Sequence, residues 1–153
     1  MSTKKSIIED KDCALILNSL LENSKISYRQ LAKKISLSTT TVIKKIEQME
    51  REGIIKKYCT HVDYNKLGFE VQAAIMARVS KGKLIEVEKK IAKHENVQSV
   101  YDVTGDYDAL IIAKFRKRAE LDAFLKEIQK YDFIERTHTL LILNTLKEEC
   151  VKI

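Results

Sequence analysis

Residues 27–53, SYRQLAKKISLSTTTVIKKIEQMEREG, constrain this chain more than any other stretch. Their spacing predicts two short helices separated by a three-residue turn. Ser27 is placed to cap the first, and Gln30, three residues on, completes a capping box. Leu31, Ala32 and Ile35 give that helix an apolar stripe, which Ser36, Leu37 and Ser38 interrupt. Ser38 then caps the second helix, where Val42, Ile46 and Met49 recur at i, i+4 and i+7. Gly53 stands where a left-handed residue would close it. Thr40, Thr41, Lys44, Gln48 and Arg51 fall away from the apolar stripe. Two helices joined this way form a helix-turn-helix. A second helix with hydroxyls at its start and cations one turn later suits a DNA major groove.

Charge follows the same division. The chain has 153 residues and a net charge of +6, with a hydrophobic fraction of 44% that is enough for a packed core. Residues 1–62 hold 12 Lys/Arg against 7 Asp/Glu, whereas residues 63–153 hold 16 against 15. The excess positive charge therefore lies with the helix pair. A phosphate-binding half beside a near-neutral half fits a DNA reader with a separate partner or ligand module, and a merely lysine-rich surface is the plainer alternative. No apolar run reaches the ~18 residues of a membrane helix, and the first residues, MSTKKSIIEDKD, have no apolar signal region. No membrane partner is expected. Cys13, Cys59 and Cys150 are scattered, as are His61, His94 and His138. No zinc site or disulfide framework follows, so the thiols read as buried or partly buried in a reducing cytoplasm. No metal and no cofactor is implied.

There is no proline, and the four glycines, Gly53, Gly68, Gly82 and Gly105, separate periodic segments. A helix is expected over about 9–22, with Ile16, Leu17, Leu20 and Leu21 as its apolar face. It makes a three-helix unit with the pair that follows. Residues 54–62 read as a short strand, and residues 63–68 as an ordered boundary. From Phe69 the period changes from helical to two, with Phe69, Val71, Ala73, Ile75, Ala77 and Val79 alternating. A helix marked by Leu84, Val87 and Ile91 follows. Strands are expected over 97–104 and 109–115. Leu121, Phe124, Leu125 and Ile128 mark a helix, and a long strand runs over 135–146. The order βαββαβ is a ferredoxin-like module with two helices over one face of an antiparallel sheet. Leu140 to Leu143 are consecutive apolar residues, so the last strand is apolar on both sides. A strand of that kind is covered on both sides. One cover is the module's own helices and the other is a second chain, which predicts a homo-oligomer.

Three stretches, SYRQLAKKISLSTTTVIKKIEQMEREGIIKKY, VDYNKLGF, and VYDVTGDYDALIIA with the later RTHTLLIL, together resemble the Lrp/AsnC, or feast/famine, transcription regulators. The resemblance runs from about Ile8 to Lys147. It implies an α+β chain: an N-terminal winged helix-turn-helix domain over 1–53, a hinge strand and linker over 54–68, and an effector-binding, oligomerising βαββαβ domain over 69–153. The partners it implies are double-stranded DNA, a small effector that is commonly an amino acid, and further copies of the chain. Members are dimers that often assemble to octamers, and the effector lies in a cleft near the turn that TGDYD occupies here. The family's recognition helices often carry Arg where this chain has Lys44 and Lys45, which turns a bidentate fork into a point charge.

The DNA-binding candidates are Ser38, Thr39, Thr40, Thr41, Lys44 and Lys45 on the recognition helix, with Tyr28, Arg29, Lys33 and Lys34 in support. Hydroxyls near a helix start can take phosphate or base edges. The plainer view is that the threonines only cap and the lysines are solvated. For the effector, the resemblance points to Thr104, Gly105, Asp106, Tyr107 and Asp108, with Thr137 and Thr139. Gly105 lets the turn present backbone N–H groups to a carboxylate, and Asp108 is placed to meet an α-ammonium. An ordinary hairpin turn would use the same Gly-Asp chemistry. No nucleophile–base pair, metal cluster or phosphate loop is present, so an enzyme on a ferredoxin-like sheet is disfavoured. The aromatic pattern of an RNA-binding sheet is missing. A chromatin-like nonspecific DNA binder and a stand-alone effector sensor stay open.

Overall fold

The computed structural model describes residues 10–80 and 82–153. Glu9, where the first helix was expected to begin, lies outside them. The chain divides into two compact units: one up to His61 together with Glu148–Ile153, the other Val62–Lys147.

The first unit holds α1 (Lys11–Glu22), α2 (Tyr28–Lys34) and α3 (Thr39–Arg51). Each helix starts on a side-chain cap. Asp10 accepts from the Asp12 N–H, Ser27 and Gln30 form the expected capping box, and Ser38 accepts from the Thr41 N–H at 3.0 Å. These caps satisfy amide donors that a helix start leaves open. The turn between α2 and α3 passes through Ser36 at φ 57°, a left-handed residue without glycine's freedom. α3 closes as a Schellman motif: Gly53 has φ 71°, its N–H reaches the Glu50 carbonyl, and the Ile54 N–H reaches that of Met49. The core is Cys13, Ile16, Leu31, Ala32, Val42, Ile46 and Met49. Cys13 thus takes a place in the α1 face where Leu21 was expected, and Leu21 is 41% exposed. Cys59 and Cys150 are exposed rather than buried. The last residues fold back on α1, where the Asn18 side chain bonds both the N–H and the carbonyl of Ile153.

Residues 54–62 do not form the expected strand. A ladder needs a neighbouring edge, and no strand pairs with them in the described residues. Tyr58 instead ties this stretch to α3, its hydroxyl donating to Glu50 at 2.8 Å. Burial, then that hydrogen bond, pushes the Tyr58 phenol up to about 12.

The second unit is β1 (Val71–Val79), α4 (Leu84–Ile91), β2 (Val97–Asp102), β3 (Ala109–Phe115), α5 (Arg118–Ile128) and β4 (Ile134–Leu141). The sheet is antiparallel with order β2-β3-β1-β4. β4 stops at Leu141, short of the expected 146, because its pairing with β1 ends at Ala73↔Leu141. Period-two alternation sends Ala73, Ile75, Ala77 and Val79 of β1, and Ala109, Ile111, Ala113 and Phe115 of β3, into the core with the helices. The opposite face carries Ala74, Met76, Leu110, Ile112 and Leu140, with Tyr101 paired to Leu110. Val100 pairs with Ile111 and packs on the helix side. Residues before β1 are pinned to the end of β3, where Arg116 donates to the Leu67 carbonyl at 2.7 Å and lies over the Phe69 ring.

Candidate functional site

α3 separates its faces cleanly. Val42, Ile46 and Met49 are fully buried. Thr40, Lys44, Glu47 and Arg51 form the exposed stripe, with Thr39 beside it. Gln48 and Thr41, expected on that stripe, are half-buried. Gln48 bonds Glu52 at 2.9 Å, and the Thr41 hydroxyl lies 2.7 Å from that of Ser38. Ser38 and Thr41 therefore satisfy each other at the helix start, while Thr39 and Thr40 stand open.

The two lysines part company. Lys44 is exposed. Lys45 turns to the start of α1, where its ammonium lies 2.5 Å from Asp10 and 3.5 Å from Asp12, with its side chain 18% exposed. The hydrogen bond from Lys45 holds the Asp10 carboxyl below its ordinary value, against the opposing effect of burial. Burial works against the Lys45 ammonium, but the Asp10 hydrogen bond and the surrounding charges win, and its pKa is raised. Lys45 is thus a pin between α1 and α3. On α2, Tyr28, Arg29 and Lys33 are exposed, and Lys34 pairs with Glu22 at 2.9 Å. That hydrogen bond lowers the Glu22 carboxyl. Asp10 and Asp12 as partners of Lys45 were not visible in the sequence, because nothing in helix periodicity names the neighbour that covers a face.

The TGDYD turn joins β2 to β3. Thr104, Gly105 and Asp106 are exposed, and Tyr107 and Asp108 are half-buried. Gly105 adopts φ 118°, and a Cβ there would meet nothing within 4 Å, so the backbone conformation alone calls for glycine. Asp108 holds the neighbouring strand: one of its carboxylate oxygens accepts the Val79 N–H at 2.8 Å, beside the irregularity between Arg78 and Val79. This occupies an oxygen that an α-ammonium was expected to meet.

The nominated effector residues separate onto two sides of the sheet. Thr137 and Thr139 pair with Ala77 and Ile75, which face the helices. Thr137 accepts from Gln129 of α5 at 3.1 Å. The turn leans the other way. Its Tyr107 ring lies under the Arg136 guanidinium at 4.9 Å and 6.2 Å from the His138 ring. The Asp106 carbonyl accepts from Arg78 at 3.3 Å and from Arg136 at 3.4 Å. Arg78, Arg136 and His138 are the residues that sequence reasoning missed. The available signal was the two-residue spacing of Arg136 and His138 in RTHTLLIL, which puts them on one face.

Among the described residues no three His, Cys, Asp or Glu side chains are grouped to hold a metal ion, and no helix is long and apolar enough to cross a membrane.

Two family descriptions match the chain: the Lrp/AsnC ligand binding domain over residues 72–151, and a winged helix-turn-helix DNA-binding domain over residues 15–56. An uncharacterized HTH-type transcriptional regulator of Pyrococcus furiosus is 39% identical over 142 residues, covering 93% of this chain and 95% of that protein. The HTH-type transcriptional regulator FL11 of the same organism is 31% identical, covering 94% and 95%. The solved structure of Escherichia coli AsnC superimposes with a TM-score of 0.85 at 27% identity, covering 94% of this chain and 98% of that one.

Proposed function

The chain belongs to the Lrp/AsnC family of transcriptional regulators, with a helix-turn-helix that binds DNA and a ligand-binding domain, and from that premise we propose a sequence-specific regulator whose DNA affinity or assembly responds to a small molecule, an amino acid in our reading. These are regulators, not enzymes. One observation carries the DNA half of the reading. α3 buries its apolar stripe completely and leaves Thr40, Lys44 and Arg51 exposed on the opposite side. A recognition helix needs that division: one face held by its own core, the other free to enter a major groove. Thr39, Thr40 and Lys44 meet the DNA, and Tyr28, Arg29 and Lys33 support it from α2.

Residues 1–53 act as the DNA-binding part, 54–68 as the hinge, and 69–147, rather than the expected 69–153, as the part that senses and assembles, because Glu148–Ile153 group with the first unit. Among the described residues of the second unit, both helices pack on the other face of the sheet and leave the face bearing Met76, Leu110, Ile112 and Leu140 without one, which supports a second copy as its cover. A dimer presents two recognition helices, so half-sites lie about one helical turn apart. Further assembly, as far as an octamer, would engage several such sites. An effector would change DNA affinity by about 5–150-fold.

The test is selection of genomic DNA fragments by the purified protein, with and without amino acids, read by sequencing. The expected result is enrichment of a short palindrome in phased repeats, altered by particular amino acids. Equal, salt-sensitive binding to all fragments would mark a chromatin-like binder instead and remove the recognition-helix assignment.

A further inference from the structure

Two arginines grip the TGDYD turn. Arg78 on β1 and Arg136 on β4 stand directly opposite one another in the antiparallel register. Like charges so placed destabilise a sheet unless something between them compensates. Both guanidiniums reach for one neutral acceptor, the Asp106 carbonyl, which lies within 3.4 Å of a terminal nitrogen of each. Glu135 offsets one charge, 3.5 Å from Arg78 Nε, and it also accepts from Ser80. Among the described residues Arg136 has no carboxylate partner; it rests on the Tyr107 ring. A guanidinium has five donors in a planar fork, and a long bond to a shared carbonyl uses one from each. Both residues are exposed, so the donors of Arg136 and those of Arg78 that do not face Glu135 are open to a ligand.

We propose that Arg78 and Arg136 form a carboxylate clamp, taking the carboxylate of a small amino or 2-oxo acid whose remaining atoms lie against Tyr107 and His138. The clamp rests on the effector reading of this turn. It moves the carboxylate anchor from the turn backbone to two side chains. Planar guanidiniums match a carboxylate bidentately, which lysine cannot do. The exposed Asp106 carboxylate, rather than Asp108 with its bond to Val79, is the group left to meet an ammonium.

Thermal melting and titration calorimetry on the full chain test this. The probes are the standard amino acids, each beside its 2-oxo acid and its decarboxylated amine. Arg136→Gln and Arg78→Gln keep a donor for the Asp106 carbonyl, and Arg136→Lys keeps the charge without the fork. The expected result is that at least one carboxylate-bearing probe raises Tm while its amine does not. Either Gln variant then weakens binding by about tenfold or more with the ligand-free Tm little changed, and Arg136→Lys falls between. A response to the 2-oxo acid equal to that of the amino acid assigns the specificity to the carboxylate alone. Unchanged affinity in the Gln variants overturns the clamp and leaves the effector reading standing. If no carboxylate shifts the wild-type Tm, clamp and effector reading both fall, and fragment selection still decides the DNA reading. A change of oligomeric mass with wild-type ligand response would assign the pair to subunit assembly and overturn the clamp.

Discussion

Lys44 and Lys45 follow one another on α3, so their side chains leave the helix about 100° apart. That angle decides what each can do. Lys44 lies on the exposed stripe, and Lys45 lies over Asp10 and Asp12. Replacing Lys44 by Ala should leave Tm unchanged and lower the slope of log affinity against log salt by about one unit, as expected for one lost phosphate contact. Replacing Lys45 by Ala should do the reverse. It leaves two carboxylates without their cation and costs about 1 kcal/mol of stability, discounted for the solvent that still reaches the pair. Its salt slope should stay at the wild-type value. Melting curves and DNA titrations at several salt concentrations on both variants check this, and a lowered slope in Lys45→Ala would return that residue to the DNA interface. Both lysines read alike in the sequence because the partner of Lys45 lies 35 residues away. Asp108 shows the same limit: its type suited an ammonium, and its neighbour, the Val79 N–H, comes from another strand.

Elements whose limits depend on their own residues were legible, and those that depend on a neighbour were not. α3 begins and ends where Ser38 and Gly53 indicate, because a cap and a Schellman turn are local structures. The strand over 109–115 is also where its apolar run places it. β4 is shorter than its apolar run, since a strand ends where its ladder ends, and the pairing with β1 stops at Ala73↔Leu141 although β1 itself starts at Val71. The stretch 54–62 has strand composition and no edge to join. At the start of α1, Asp10 combines a cap with the Lys45 ion pair. Its folded pKa lies below the unfolded value of about 3.9. The stabilisation is therefore fully present above that value and is lost as pH falls through the lowered folded one. Asp10→Asn keeps a side-chain oxygen for the cap and loses the charge. Its Tm should lie below that of the wild type at neutral pH, and the two curves should converge in acid. Parallel curves down to the acid limit would show that the pair contributes nothing to folding.

At the scale of the molecule, the proposed assembly of copies turns on the sheet face that the described helices of the second unit leave uncovered. Ala74, Met76, Leu110 and Ile112 lie at its centre, and Leu140 and Tyr101 beside them are 48% and 53% exposed. A continuous apolar face of this kind marks an interaction surface. The sequence indicated a covered last strand but not which residues share the face, because a one-residue change of register exchanges the two faces. Met76 is central, paired with Leu110 on one side and His138 on the other. Burying one methionine side chain is worth about 1.5–3 kcal/mol, and a two-fold interface counts it twice. Met76→Glu also places two carboxylates in that interface. The dissociation constant of the proposed dimer should therefore rise by at least about a hundredfold, and sedimentation should find monomer where the wild type is larger. α3 is untouched, so the monomer should keep its preference for one half-site and lose the gain from presenting two helices at once. DNA probes with one and two half-sites separate these effects. A Met76→Glu protein that stays at the wild-type mass would show that another surface holds the copies together.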